Sequence, residues 1–167
     1  MSDKFQEIEF HQVRLLVIFS YLVGLTVNIF SLKEQVLIIF PPFALLLTLF
    51  WSVQLLRNSH LIVAFSLGLL YDALYQSLLG THALLFILIT FFMLRIRLRF
   101  RSYRLWQQSL IIGFYFYLYQ GLHYLIFSPQ LLGDTLWLYW SMPISAILIW
   151  PGLVIILRGL SNRISVI

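Results

Sequence analysis

Six long apolar runs follow one another along the chain, at about 15–32, 36–56, 60–79, 82–99, 105–127 and 136–157. Each approaches the roughly 20 residues that a helix needs to cross hydrocarbon. The runs are continuously apolar, without the polar–apolar alternation of a membrane β-barrel strand. Their connectors are short, so neighbouring helices should pack antiparallel. The balance of 61% hydrophobic against 10% charged residues lies far outside the range of soluble domains. The expected fold is an all-α integral membrane protein, with six transmembrane helices in one compact bundle over residues 1–167. A short polar arm, residues 1–14, precedes the first span. That span, LLVIFSYLVGLTVNIFSL, exceeds a signal-peptide apolar region and lacks a small-residue cleavage site, so it is expected to remain attached.

Charge gives the orientation. One set of alternate loops collects Lys4, Arg14, Arg57, Arg95, Arg97, Arg99, Arg101, Arg104, Arg158 and Arg163, and the other collects Lys33 alone. Basic loops stay in the cytoplasm, which places both termini there. Glu34 and Asp134 fall on the outer side. Trp51 and Trp106 are expected as interfacial anchors near the inner boundary, and Trp137 and Trp140 near the outer one. The fourth run is short: His82 to Leu94 reaches only about 20 Å. Either its helix continues through Arg95, Arg97 and Arg99, or the Gly80-Thr81-His82 turn lies below the outer surface.

The stretch GLLYDALYQSLLG puts Asp72 well inside the third run. An aspartate at a helix centre costs about 2.5–3.5 kcal/mol on insertion scales. Intramembrane carboxylates therefore face other helices or water. Tyr75 and Gln76, three and four residues on, are expected on the same helical face as Asp72. Asn28, Gln120 and His123 lie at comparable depth on other runs. Together they outline an outward-opening polar hollow or a seam for a partner helix. Hydrogen bonding among themselves, to fix helix packing, accounts for them equally. Gly68, one turn before Asp72, would let another backbone come close, and Gly80 would form a tight turn. Pro143 and Pro151 in the sixth run, and Pro41-Pro42 in the second, are expected to kink or interrupt their helices.

Signs of catalysis are few. His11, His60, His82 and His123 have no metal-ligand spacing, and there is no cysteine. No paired carboxylates, nucleophile elbow or phosphate-binding glycine loop occurs. No catalytic residue, metal or cofactor is expected. An intramembrane enzyme would have to work with Asp72, a histidine and little else. IRLRFRSYR is basic, but its arginines divide between two faces of a helix. It reads as a cytoplasmic interface with lipid headgroups, or as a docking surface for a cytoplasmic partner, and not as a nucleic-acid site.

Taken in order, several short words resemble the rod shape-determining MreD family of bacteria. These are FPPF and LFW in the second run (Phe40, Pro42, Trp51), GLLYDALYQSLLG in the third (Gly68, Asp72, Leu79, Gly80), FRSYRLWQQSL after the fourth (Phe100, Arg101, Leu105, Trp106, Gln107, Gln108), and IWPG in the last (Trp150, Pro151). The N-terminal arm and the rest of the sixth run carry no such words. The resemblance implies a non-enzymatic inner-membrane scaffold of the cell-elongation machinery. It would bind MreC, share a complex with MreB and RodA–PBP2, and support lateral peptidoglycan synthesis. It also implies a fold similar to the substrate-binding subunits of energy-coupling-factor transporters. That likeness makes a small-molecule or lipid-binding module the alternative. Trp106, Gln107 and Gln108 would then fix the start of the fifth helix at the cytoplasmic interface.

Overall fold

The computed structural model describes residues 2–31, 39–55, 60–127 and 134–164, and side chains over 14–29, 39–55, 60–127 and 136–161. Lys33, Glu34 and Arg57 lie outside the described residues, as do the side chains of Lys4, His11, Asp134 and Arg163. Among the described residues the fold is entirely helical: α1 Ser2–Ser31, α2 Phe43–Gln54, α3 Leu61–Tyr75, α4 Thr81–Ser102, α5 Leu105–Phe127, α6 Asp134–Trp140 and α7 Met142–Ile164. The polar arm has helical backbone and forms the first part of α1.

The centre of the molecule is α2. Ten consecutive residues, Ala44 to Val53, are buried, as expected of a helix apolar on every side. It packs between α1 and α4, with further contacts to α3 and α7. Trp51 belongs to this core. Only 1% of it is exposed, and its indole N–H donates to Ser20 Oγ on α1 at 2.9 Å. The anchor expected at position 51 is therefore an interior residue, because α2 is enclosed on all sides. Trp106 and Trp137 are exposed at 59% and 80%. Two pairs of helices pack most extensively, α3 on α4 and α5 on α7.

Helix lengths depart from the apolar runs where backbone chemistry intervenes. Pro41 and Pro42 lack N–H groups, and α2 starts only after them, at Phe43. Its twelve residues reach about 18 Å. α3 ends at Tyr75, because Gln76 turns left-handed with φ of 50°. Gln76 is consequently exposed and does not share the face of Asp72. α4 continues through Arg95, Arg97, Arg99 and Arg101 to Ser102. The sixth run divides at Ser141 into α6 and α7. Pro143 opens α7 near its first turn, where its missing donor is harmless, and Pro151 alone lies within that helix.

Two stretches are long and apolar enough to cross a membrane, Leu105–Phe127 and Leu136–Ser161, while Arg14–Ile29, α2 and α3 are apolar but shorter. The outer shell is strongly apolar. Ile62, Leu79, Leu125 and Leu148 are each at least 74% exposed. Large apolar side chains turned outward while Asn28, Asp72, Gln108 and Gln120 are turned inward describe a molecule solvated by lipid.

Candidate functional site

Gly80 is the N-cap of α4, with φ of 100°, and has no side chain to accept from the free N–H groups behind it. Asp72, on the neighbouring helix, supplies that acceptor. Its Oδ2 accepts from the backbone N–H of Gly80 at 2.8 Å and of Ala83 at 3.4 Å. Its Oδ1 accepts from the His82 N–H at 3.0 Å, with the hydroxyls of Ser77 and Thr81 at 2.8 and 3.0 Å. His82 Nδ1 lies 2.7 Å from the same oxygen. The carboxylate has no solvent exposure at all. An N-cap residue normally makes these contacts within its own helix. Here the cap comes from another helix and brings a negative charge to the positive end of the α4 dipole.

Close packing makes this possible. A methyl group added at Gly68 would sit 2.3 Å from Ala83 Cα, so only glycine lets α3 meet the first turn of α4 backbone to backbone. Asp72 is one turn further on and so stands directly over the α4 terminus. Helix geometry explains the position of the aspartate: it is where the exposed N–H groups are.

A string of contacts leads away from Asp72. The His82 ring lies 5.4 Å from that of His123 on α5. His123 Nδ1 is 2.9 Å from the Tyr139 hydroxyl on α6, and Gln120 Nε2 donates to the Tyr139 carbonyl at 2.5 Å. Tyr75 stacks on Tyr71 at 4.2 Å, and both rings face His82. Asp72, Tyr75, Gln120 and His123 are thus brought together, but through His82 and Tyr139, which sequence reasoning passed over. The signal for His82 was present: ten residues after Asp72, across a glycine turn, it falls back on the same spot. For Tyr139 the signal was indirect: Pro143 marks the break at Ser141, but not the direction in which α6 then turns its side chains.

Asn28 stands apart from this group. Its Oδ1 accepts from the Phe43 N–H at 3.1 Å, at the first turn of α2. It does for α2 what Asp72 does for α4, since Pro42 at the N-cap offers no side-chain acceptor. At the same end the Ser145 hydroxyl donates to the Ile39 carbonyl.

One histidine does meet the carboxylate that an intramembrane enzyme would need, because Ser77, His82 and Asp72 converge. They do not form a nucleophilic relay. Ser77 Oγ, at 3.2 Å, and Asp72 share the same ring nitrogen, Nδ1. A relay needs the base to take a proton on one nitrogen while the acid orients the other. Among the described residues no three metal-ligating side chains converge.

At the far end of α4, Gln108 is buried, and its amide donates to the carbonyls of Phe100 at 3.2 Å and Tyr103 at 3.0 Å. Gln107 Oε1 accepts from the Arg104 N–H at 3.0 Å, closing the first turn of α5. Trp106 points outward. Arg95 lies over the Phe91 ring at 5.0 Å, and Arg99, Arg101 and Arg104 are exposed.

Residues 9–162 match the family model of the rod shape-determining protein MreD. The chain belongs to the MreD family. The rod shape-determining protein MreD of Haemophilus influenzae is 25% identical over 127 residues, covering 74% of this chain and 76% of that protein. No solved structure matches. Family membership gives the chain a role in rod-shape determination, as a structural membrane protein.

Proposed function

We propose that this protein is a six-span scaffold of the bacterial inner membrane, with both termini in the cytoplasm. In this reading it binds MreC directly, sits in one complex with MreB and RodA–PBP2, and supports lateral peptidoglycan synthesis. The observation that carries the proposal is the use made of Asp72. All six of its polar partners belong to this chain and tie α3 to α4. The costliest polar group in the bilayer thus holds helices in place and is not turned toward a substrate. Gly68, Gly80, Asn28, Tyr75, Gln120 and His123 act with it as parts of that frame. The apolar outer faces of α1, α3 and α7 are left for lipid or for a partner's helix.

The test is detergent co-purification of the full-length chain with MreC, with photocrosslinkers at outward positions such as Phe19, Ile62 and Leu148. Asp72→Ala is expected to lower the MreC yield and widen cells. Crosslinks to MreC should fall on one helix face. Unchanged yield and normal cell width in a deletion background would reject the scaffold role of Asp72. Absence of crosslinks from every face would reject direct binding. A ligand hollow lined by Asn28, Asp72, Gln120 and His123 draws no support from the geometry, because Asn28 and Asp72 serve different helix starts.

A further inference from the structure

The α4–α5 junction carries a run of basic residues with no acidic residue near them in the sequence. No Asp or Glu occurs between Asp72 and Asp134, yet Arg95, Arg97, Arg99, Arg101 and Arg104 lie in that interval. Among the described residues the one ion pair is His82 with Asp72, at the opposite end of α4. Arg99, Arg101 and Arg104 are exposed, and among the described residues no carboxylate pairs with them. Beside them is a shallow open groove of about 250 Å³, lined by Tyr103, Gln107, Leu110 and Ile111. Gln107, Leu110 and Ile111 share one face of α5 over about 6 Å at 1.5 Å per residue, and Tyr103 lies just before that helix. Tyr103 and Gln107 are polar, and Leu110 and Ile111 wholly aliphatic.

An anionic headgroup above an apolar trough is the chemistry of one molecule in particular. We propose that this groove is a binding site for an anionic phospholipid. Arg101 and Arg104, on either side of Tyr103, hold its phosphate. Tyr103 and Gln107 meet the glycerol level, and the first part of an acyl chain lies along Leu110 and Ile111. A cytosolic acidic protein would satisfy the arginines but has no use for a trough running into the hydrocarbon. The site needs only that this junction lies at the membrane surface, which the length of α5 supplies. Its test is therefore independent of MreC binding.

Native mass spectrometry of the full-length protein in detergent, titrated with phosphatidylglycerol and with phosphatidylcholine of the same chains, tests the site. Phosphatidylglycerol should be retained preferentially. Arg101→Gln with Arg104→Gln should weaken it about thirtyfold, from roughly 1 kcal/mol per arginine near an anionic surface. Leu110→Trp, which fills the trough and leaves every arginine, should weaken it too. Arg14→Gln, an exposed basic residue on α1, should leave it unchanged. Equal retention of the two lipids, or an equal loss from Arg14→Gln, would overturn the site in favour of diffuse attraction. Displacement by glycerol 3-phosphate would reduce it to a phosphate site. Unaltered lipid retention in the arginine variant, with loss of a cytosolic binding protein, would reassign the arginines to a protein surface.

Discussion

At its first turn α4 presents free N–H groups, and at its last turn free carbonyls, so its two ends pose opposite problems within one helix. The first turn is closed by a buried carboxylate from α3, and everything depends on that one side chain. At the last turn Gln108 takes the carbonyls of Phe100 and Tyr103, while Arg99 and Arg101 complement the negative end of the dipole from outside. One end is enclosed and carried by a single ion. The other is open and shared among neutral and hydrated groups. Charge is buried at the enclosed end and left exposed at the other.

Unequal consequences should follow when the two ends are disturbed. Asp72→Ala strands buried N–H groups and removes the anion, and should cost about 3–5 kcal/mol in a detergent unfolding titration. Asp72→Asn keeps one acceptor and should recover part of that loss. If Asp72→Ala unfolds like the wild type, the single-ion account of this end fails. Gly68→Val should rank second, at about 1–3 kcal/mol, because the added carbons press on Ala83. It should act through packing, so adding Asp72→Ala to it should bring less than the sum of the two changes. Smallest is Gln108→Ala, at roughly 1–2 kcal/mol by the same titration, since the bonds lost are neutral and the Tyr103 carbonyl is only part-buried. A larger effect for Gln108 than for Asp72 would invert the comparison.

The residues differ in how legible they were. Helical class and lipid solvent follow from apolar runs alone, and the close approach at Gly68 and the turn at Gly80 follow from glycine's geometry. The bounds of α5 could be read because Arg104 and the Ser128-Pro129 pair flank its run. The second and third runs were overestimated, and the first, fourth and sixth underestimated, because hydropathy is blind to what starts or stops a helix. Pro42 and the left-handed Gln76 shortened α2 and α3, although the residues beyond them remain apolar. Asp72 was legible as inward-facing but not as a cap, since its partners are backbone N–H groups, which have no letter in a sequence. Asn28 was misgrouped for the same reason: similar depth does not establish a shared neighbourhood. Trp51 was misplaced because an interfacial tryptophan and a core tryptophan look alike until it is known which helix lies at the centre.

The capped turn also bears on how the chain enters the bilayer during synthesis. Alone, a helix ending at Tyr75 would have to carry the aspartate across with nothing to receive it, at a cost of about 2.5–3.5 kcal/mol. Every partner that relieves this lies between Ser77 and Ala83, at the very start of the next segment to leave the ribosome. The two segments should therefore settle as a hairpin, the earlier one delayed until the later arrives. A glycosylation reporter fused after Tyr75 should show poor integration that recovers once the nascent chain extends past Ser102. Equal integration at both lengths would mean that the aspartate is tolerated without its partners.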